Sequence, residues 1–270
     1  MSHIDKVFSG SIARLYQTSL VPLIFAPYAA DLKGRVAAMD RPRVLEVAAG
    51  TGVVTRALAS LPHARLSIVA TDLNQAMLDE AVAAGTARPV RWQQADAQAL
   101  PFADGEFDLV VCQFGAMFFP DKAKAFAEAR RVLAPGGAFL FNVWDAIAEN
   151  EFADTVTAAL EAVFPADPPR FLARTPHGYH DRSAIERDLA AGGFTQPLQW
   201  ATVAARSRAP SPREPAIAYC QGTPLRNEIE ARGGSRLAQA TDAAADALAR
   251  RFGAHAVDGK IQAHVAMIEK

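Results

Sequence analysis

Cysteine is scarce. Cys112 and Cys220 are the only two in 270 residues, too few for a disulfide framework or a cysteine-ligated zinc site. Charge of one sign is lacking too: 28 basic and 29 acidic side chains leave a formal net charge of −1. That excludes a basic field for a nucleic-acid backbone and an acidic interaction tail. Long hydrophobic runs are missing as well. The most apolar stretch, residues 20–30, contains Pro22 and Pro27 and falls well short of the roughly 20 apolar residues that a spanning helix needs. The first residues show no basic region followed by a clean apolar core, so no secretory signal is read there and the expected compartment is the cytoplasm. There is no internal repeat and no low-complexity tract.

Half of the residues are hydrophobic and about a fifth are charged, an ordinary globular composition for one large α/β domain or two small ones. Short β-rich runs at residues 43–47, 66–71, 90–93, 107–112 and 138–143 alternate with amphipathic stretches at 53–61, 74–84 and 122–133. This alternation predicts a parallel sheet with helices on both faces. Residues 7–37 read as a helical cover broken at Pro22 and Pro27. Asn74 is a candidate N-cap for a helix with Met77, Leu78 and Val82 on its apolar face. Pro135-Gly136-Gly137 is expected to stop the helix before the fifth strand. Further on, residues 182–191 read as a helix stopped by Gly192-Gly193, and 200–205 and 261–268 as two final strands. If the last strand runs antiparallel, the long connections 145–181 and 209–258 emerge at the ligand edge as lids. The alternative is surface decoration or an oligomer contact.

Four strand ends carry the chemistry. The first strand runs into Glu46-Val47-Ala48-Ala49-Gly50-Thr51-Gly52, where Gly50 and Gly52 permit a close approach of ligand to backbone. Dinucleotide sites use such a turn too, but a pyrophosphate gains nothing from Glu46, and Thr55 stands in place of a third glycine. Asp72 ends the second strand, where an acid can accept both hydroxyls of a ribose. Asp96 follows the third strand in Gln94-Ala95-Asp96-Ala97-Gln98, where a carboxylate can accept from an exocyclic adenine amine. Cys112-Gln113-Phe114-Gly115 closes the fourth.

These anchors resemble those of the class I S-adenosylmethionine-dependent methyltransferases, in the small-molecule group similar to ubiquinone-biosynthesis methyltransferases. The likeness runs from about Val44 to Trp144. It includes the linking motif Leu100-Pro101-Phe102-Ala103-Asp104-Gly105-Glu106-Phe107-Asp108 and the later motif Arg131-Val132-Leu133-Ala134-Pro135-Gly136-Gly137. The resemblance implies a doubly wound, Rossmann-like α/β fold. Its sheet would have seven strands, the last antiparallel, with helical lid insertions. One domain over residues 1–270 is expected, with an N-terminal cover at 1–40, a cofactor core at 41–145 and lids at 146–181 and 209–258.

It also implies S-adenosyl-L-methionine as cofactor. Glu46 and the turn of Ala48, Gly50, Thr51 and Gly52 would take its methionine end, and Asp72 its ribose, with Leu73 and Met77 against the sugar and adenine. Asp96, Ala97 and Gln98 would read the adenine, Gln113 and Phe114 would frame the sulfur, and Tyr16 would cover the cofactor. The family often has glycine where Ala48 stands, so a negative φ is expected there.

Methyl transfer from a sulfonium is an in-line displacement in which the protein mainly positions the acceptor and excludes water. Phe118, Phe119, Trp144, Arg174 and Tyr179 are candidate acceptor contacts, and His177 and His180 candidate bases. No third ligand accompanies the two histidines, so no metal is expected. The connection 209–258 carries six arginines and six acids. With its aliphatic content, it suits a small, partly apolar acceptor and not a nucleic acid or a membrane surface. Arg170 and Arg174 leave room for a carboxylate on that acceptor. Two rivals remain open: a non-catalytic cofactor-binding regulator and a nicotinamide-dependent oxidoreductase.

Overall fold

The computed structural model describes residues 11–233 and 235–270. They form two compact units, one of Pro27–Val143, Tyr179–Thr202 and His264–Lys270, the other of residues 11–26, Trp144–Gly178 and Val203–Ala263.

The sheet follows from runs of apolar residues that parallel strands bury on both faces. In β1 (Arg43–Glu46) and β4 (Phe107–Gln113), Val44, Leu45, Leu109, Val110, Val111 and Cys112 are all buried. With β2 (Ser67–Asp72), β3 (Arg91–Gln94), β5 (Leu133–Trp144), β6 (Gln199–Ala209) and β7 (Val257–Glu269) they form seven strands in the order β3-β2-β1-β4-β5-β7-β6. The pairs β1–β2, β1–β4, β2–β3 and β4–β5 are parallel. The last strand is antiparallel. Lys270 N–H donates to Gly137 O at 2.9 Å, and Asp145 N–H donates to Gln262 O at 3.0 Å, so β7 climbs as β5 descends. The strand order reverses between β1 and β4, which opens a crevice at their carboxyl ends.

α3 (Val53–Ala59), α4 (Gln75–Ala84), α5 (Lys122–Val132) and α8 (Arg182–Ala191) belong to the first unit, and α5 packs on α8. The second holds α6 (Glu151–Val163), α7 (Phe171–Arg174), α9 (Arg213–Gln221), α10 (Leu225–Ala231) and α11 (Arg236–Phe252), of which α6, α9 and α11 pack together around Phe152, Leu160, Cys220 and Leu248. Among the described residues no helix is long and apolar enough to cross a membrane.

Three local expectations are corrected. The cover does not break at its prolines: helical turns run from α1 (Ser11–Leu15) through Tyr16–Phe25 to α2 (Ala26–Ala37). Around Pro22 the turn widens to the π pattern, with Ala26 N–H reaching back to Val21 O, which relieves the clash of the ring with the preceding turn. Pro27 stands where the wide turns give way to the α pattern of Ala26–Ala37. Pro135-Gly136-Gly137 does not stop a helix, because α5 ends at Val132 and the motif lies inside β5. The register jumps there from Phe107↔Leu133 to Leu109↔Ala138, and a Cβ on Gly137 would sit 2.9 Å from Ala134 O. The buried face of α4 is Met77, Leu78 and Ala81, and Val82 is exposed.

Two ion pairs that share Arg131 hold the loop that follows Asp96. Glu128 accepts from Leu100 N–H at 2.7 Å. Arg131, bonded to Glu128 and Asp104, donates to Leu100 O at 2.9 Å and Phe102 O at 2.7 Å. Its loss strips acceptors whose charge-assisted bonds are among the strong ones. Arg131→Ala should lower stability by about 2 kcal/mol and speed amide exchange across residues 98–106. An unchanged melting temperature counts against this latch.

Candidate functional site

The crevice at the β1/β4 reversal is shaped by backbone. After β1, Val47 N–H joins Val111 O and Ala49 N–H joins Thr71 O, both at 2.9 Å. Gly50 has φ +55 and Gly52 φ +77. A Cβ on Gly52 would lie 2.8 Å from Trp92 Cη2 and 3.1 Å from Ala81 Cβ, so a side chain there would have to displace the tip of the Trp92 ring as well as strain the backbone. Ala48 departs from expectation: its φ is +53, not negative. The methyl group is carried in the left-handed region at a cost of about 1–2 kcal/mol, and the ladder bonds on either side enforce it.

Two buried carboxyls lie beneath the turn. Asp72 is 7% exposed; it accepts from Gly50 N–H and from Asn74 N–H, each at 2.8 Å. Burial pushes its pKa up, against the pull of those N–H groups. Asn74 occupies the N-cap position of α4, but its side chain makes no capping bond and turns toward Asp72 instead. Glu46 is 2% exposed and accepts from the Thr55 hydroxyl at 2.5 Å. Burial raises its pKa to about 8, although Thr55 and the Arg56 charge pull the other way. Thr55, standing where a dinucleotide turn has its third glycine, is thus the partner of Glu46. The Thr51 hydroxyl is buried with no partner among the described residues. An unmet hydroxyl, two acids and a close-approach turn fit a polar, cationic ligand laid on the backbone.

The neighbouring strand ends supply the rest of this unit's candidates. Asp96 is exposed, and its carboxylate accepts from Gln98 N–H at 2.9 Å. Gln98 in turn accepts from Asp121 N–H at 3.1 Å. Leu73, at 43% exposure, is a rare large apolar side chain left in the open, whereas Met77 is buried and Ala97 is half-buried. Gln113 is half-buried. Phe114 is buried with φ +51, its ring edge-on to Tyr28 at 5.2 Å. Tyr28 and Asn142, which holds the Phe114 N–H, were not singled out from sequence. A lone asparagine in the run Phe139-Leu140-Phe141-Asn142-Val143 was the available signal.

In this unit Phe118 is half-buried, Phe119 buried and His180 exposed. Tyr179 donates to Asp188 at 2.6 Å under the Lys122 ammonium, 4.6 Å from the ring; burial, reinforced by Asp188, raises the phenol's pKa. The other candidates lie in the second unit. There Tyr16 stacks on Phe25 at 4.9 Å, Phe25 meets Trp144 at 6.0 Å, and Trp144 meets His177 at 5.8 Å. His177 is buried, its Nδ1 3.0 Å from Asp145 O. Arg174 is engaged by Glu228 at 2.7 Å and Arg170 by Glu161 at 3.2 Å, so both meet carboxylates of the chain itself. Among the described residues no group of three His, Cys, Asp or Glu side chains could hold a metal ion.

The raised Glu46 pKa gives a sign to the pH dependence. Glu46 is neutral in the fold up to about 8, while in the unfolded chain it ionises near the ordinary carboxyl value. Its contribution is therefore full at acid pH and is lost as pH rises toward 8, by on the order of 4 kcal/mol. Without ligand, the melting temperature should fall between pH 5 and pH 8 more steeply for wild type than for Glu46→Gln. Parallel profiles contradict the neutral acid.

Residues 45–141 match the family model described as a methyltransferase domain. The ubiquinone/menaquinone biosynthesis C-methyltransferase of Saccharophagus degradans is 30% identical over 206 residues, which cover 72% of this chain and 78% of that protein. Its counterpart in Azotobacter vinelandii is 33% identical over 207 residues, 71% and 76% of the two chains. Among solved structures, phosphoethanolamine N-methyltransferase 2 of Haemonchus contortus aligns with a TM-score of 0.59 at 17% identity, over 99% of this chain and 59% of that one. The last likeness is one of fold. Family model, relatives and crevice agree: the chain belongs to the class I S-adenosylmethionine-dependent methyltransferases, and it is a methyltransferase that uses S-adenosylmethionine.

Proposed function

We propose that the chain methylates a small, partly apolar organic acceptor, with the cofactor held across the ends of β1 to β4. When bound, S-adenosylmethionine supplies an activated methyl group on a sulfonium. In this reading Asp72 accepts from the ribose hydroxyls with the lone pairs that Gly50 and Asn74 leave open. Leu73 lies against the sugar and adenine, while Asp96, Ala97 and Gln98 read the adenine. Glu46, Ala48, Gly50, Thr51 and Gly52 take the methionine end, and Gln113 and Phe114 frame the sulfur. The single observation that carries the reading is the buried Asp72 carboxylate bonded to the Gly50 N–H at 2.8 Å, which couples an anion to a turn of close backbone approach.

For the acceptor, support comes from side-chain chemistry. Phe118 and Tyr179 in the first unit and Trp144 in the second are each of a chemistry that suits an apolar body, and the zero net charge of residues 209–258 suits an acceptor without strong charge. The relatives' printed activity, C-methylation in quinone biosynthesis, supports an electron-rich ring carbon. His177 is assigned as the base for an acceptor that must lose a proton. Its Nδ1–H donates to Asp145 O at 3.0 Å, which fixes the orientation of the ring.

Asp72→Asn should weaken S-adenosylhomocysteine binding by roughly 10- to 100-fold, the worth of one or two charge-assisted bonds, as read by calorimetry. An unchanged dissociation constant removes Asp72 from the site. His177→Ala should spare that binding while cutting turnover. Incubation of candidate acceptors with methyl-labelled cofactor, read by mass spectrometry, identifies the product; NAD binding in place of S-adenosylhomocysteine sinks the reading.

A further inference from the structure

Asn142 stands between Phe141 and Val143 on β5, at 0% exposure. Its main-chain carbonyl and its Oδ1 both accept from the Phe114 N–H, at 3.2 and 2.9 Å. An N–H only donates, so Oδ1 must face Phe114, and the amide NH2 is turned away. That NH2 is buried and has no hydrogen-bond partner among the described residues. A buried amide with one end unmet serves packing worse than a leucine of similar volume. The met end is what accounts for an asparagine here.

What that end holds is strained. Phe114 has φ +51, in a region that bulky side chains avoid. The next residue, Gly115, brings the chain so close to the β1 turn that a Cβ would lie 2.5 Å from Ala48 Cβ and 2.7 Å from Cys112 Sγ. Ala48 has the other positive φ of a non-glycine residue among those described. Two left-handed turns, at the ends of β1 and β4, therefore meet across Gly115, and the second is clamped from β5.

We propose that Asn142 is a positioning residue for methyl transfer: by clamping the Phe114 N–H it holds the 113–115 turn against the Ala48 turn, in the conformation that receives the methionine end of the cofactor. This rests on the assignment of Ala48 and Phe114 to the cofactor site. A merely structural residue would weaken fold and binding together; a positioning residue separates them.

The test is Asn142→Leu, alone and combined with Phe114→Gly, read by S-adenosylhomocysteine titration, thermal melting and amide exchange at residues 113–115. Asn142→Leu should weaken binding about tenfold, speed exchange at the Phe114 amide, and leave the melting temperature at or above wild type. Glycine adopts the left-handed conformation unaided, so adding Asn142→Leu to Phe114→Gly should cost about twofold or less. Wild-type affinity in Asn142→Leu, a joint loss of melting temperature and affinity, or equal factors in both backgrounds overturns the proposal. If the wild-type chain itself fails to bind, the proposed function falls instead. Exchange then decides alone, and an unchanged Phe114 amide in Asn142→Leu overturns the clamp.

Discussion

The hydrogen bond from Gly50 N–H to the buried Asp72 carboxylate ties the end of β1 to the end of β2, and the turn after β1 is arranged around it. An ionised carboxylate at this depth is unfavourable unless its lone pairs are met. Backbone N–H groups from the glycine turn and from the start of α4 meet them at fixed positions. The same desolvation acts on Glu46, so two acids share a region where water does little to stabilise negative charge. A cationic ligand, which would favour the ionised form of both, is the natural complement of such a pair.

Strain in the crevice has the same logic as the buried acids. Ala48 and Phe114 occupy backbone conformations that cost energy, and each is enforced by the ladder of the strands around it. Such residues persist where the surrounding structure over-determines them. Both lie at carboxyl ends of adjacent parallel strands, on either side of the reversal in strand order, where open α/β sheets place their ligands.

Much of this was legible in the sequence, because parallel strands buried on both faces leave unmistakable apolar runs and because glycines and acids at strand ends are short-range signals. The seven-stranded sheet with its antiparallel last strand was carried by the resemblance and holds. What was not legible depends on three-dimensional context. The sign of φ at Ala48 is set by bonds to Val111 and Thr71, neither of which is near it in sequence. Pro135-Gly136-Gly137 carries the composition of a helix stop, yet it serves a register jump against β4 that only the paired strand reveals. Pro22 is tolerated through a wider helical turn, and Asn142 matters through Phe114, 28 positions earlier.

The placement of β7 between β5 and β6 bears on how the chain reaches its native state during synthesis. Strands β1 to β5 can zip together as they leave the ribosome, each finding an earlier neighbour. β6 has no such neighbour: its sole partner in the sheet is made after it, beyond three intervening helices. Until β7 emerges, one edge of β5 and all of β6 present unpaired backbone, the kind of surface that invites aggregation. Nascent chains halted between residues 210 and 256 are therefore the species of this protein with the greatest claim on a chaperone.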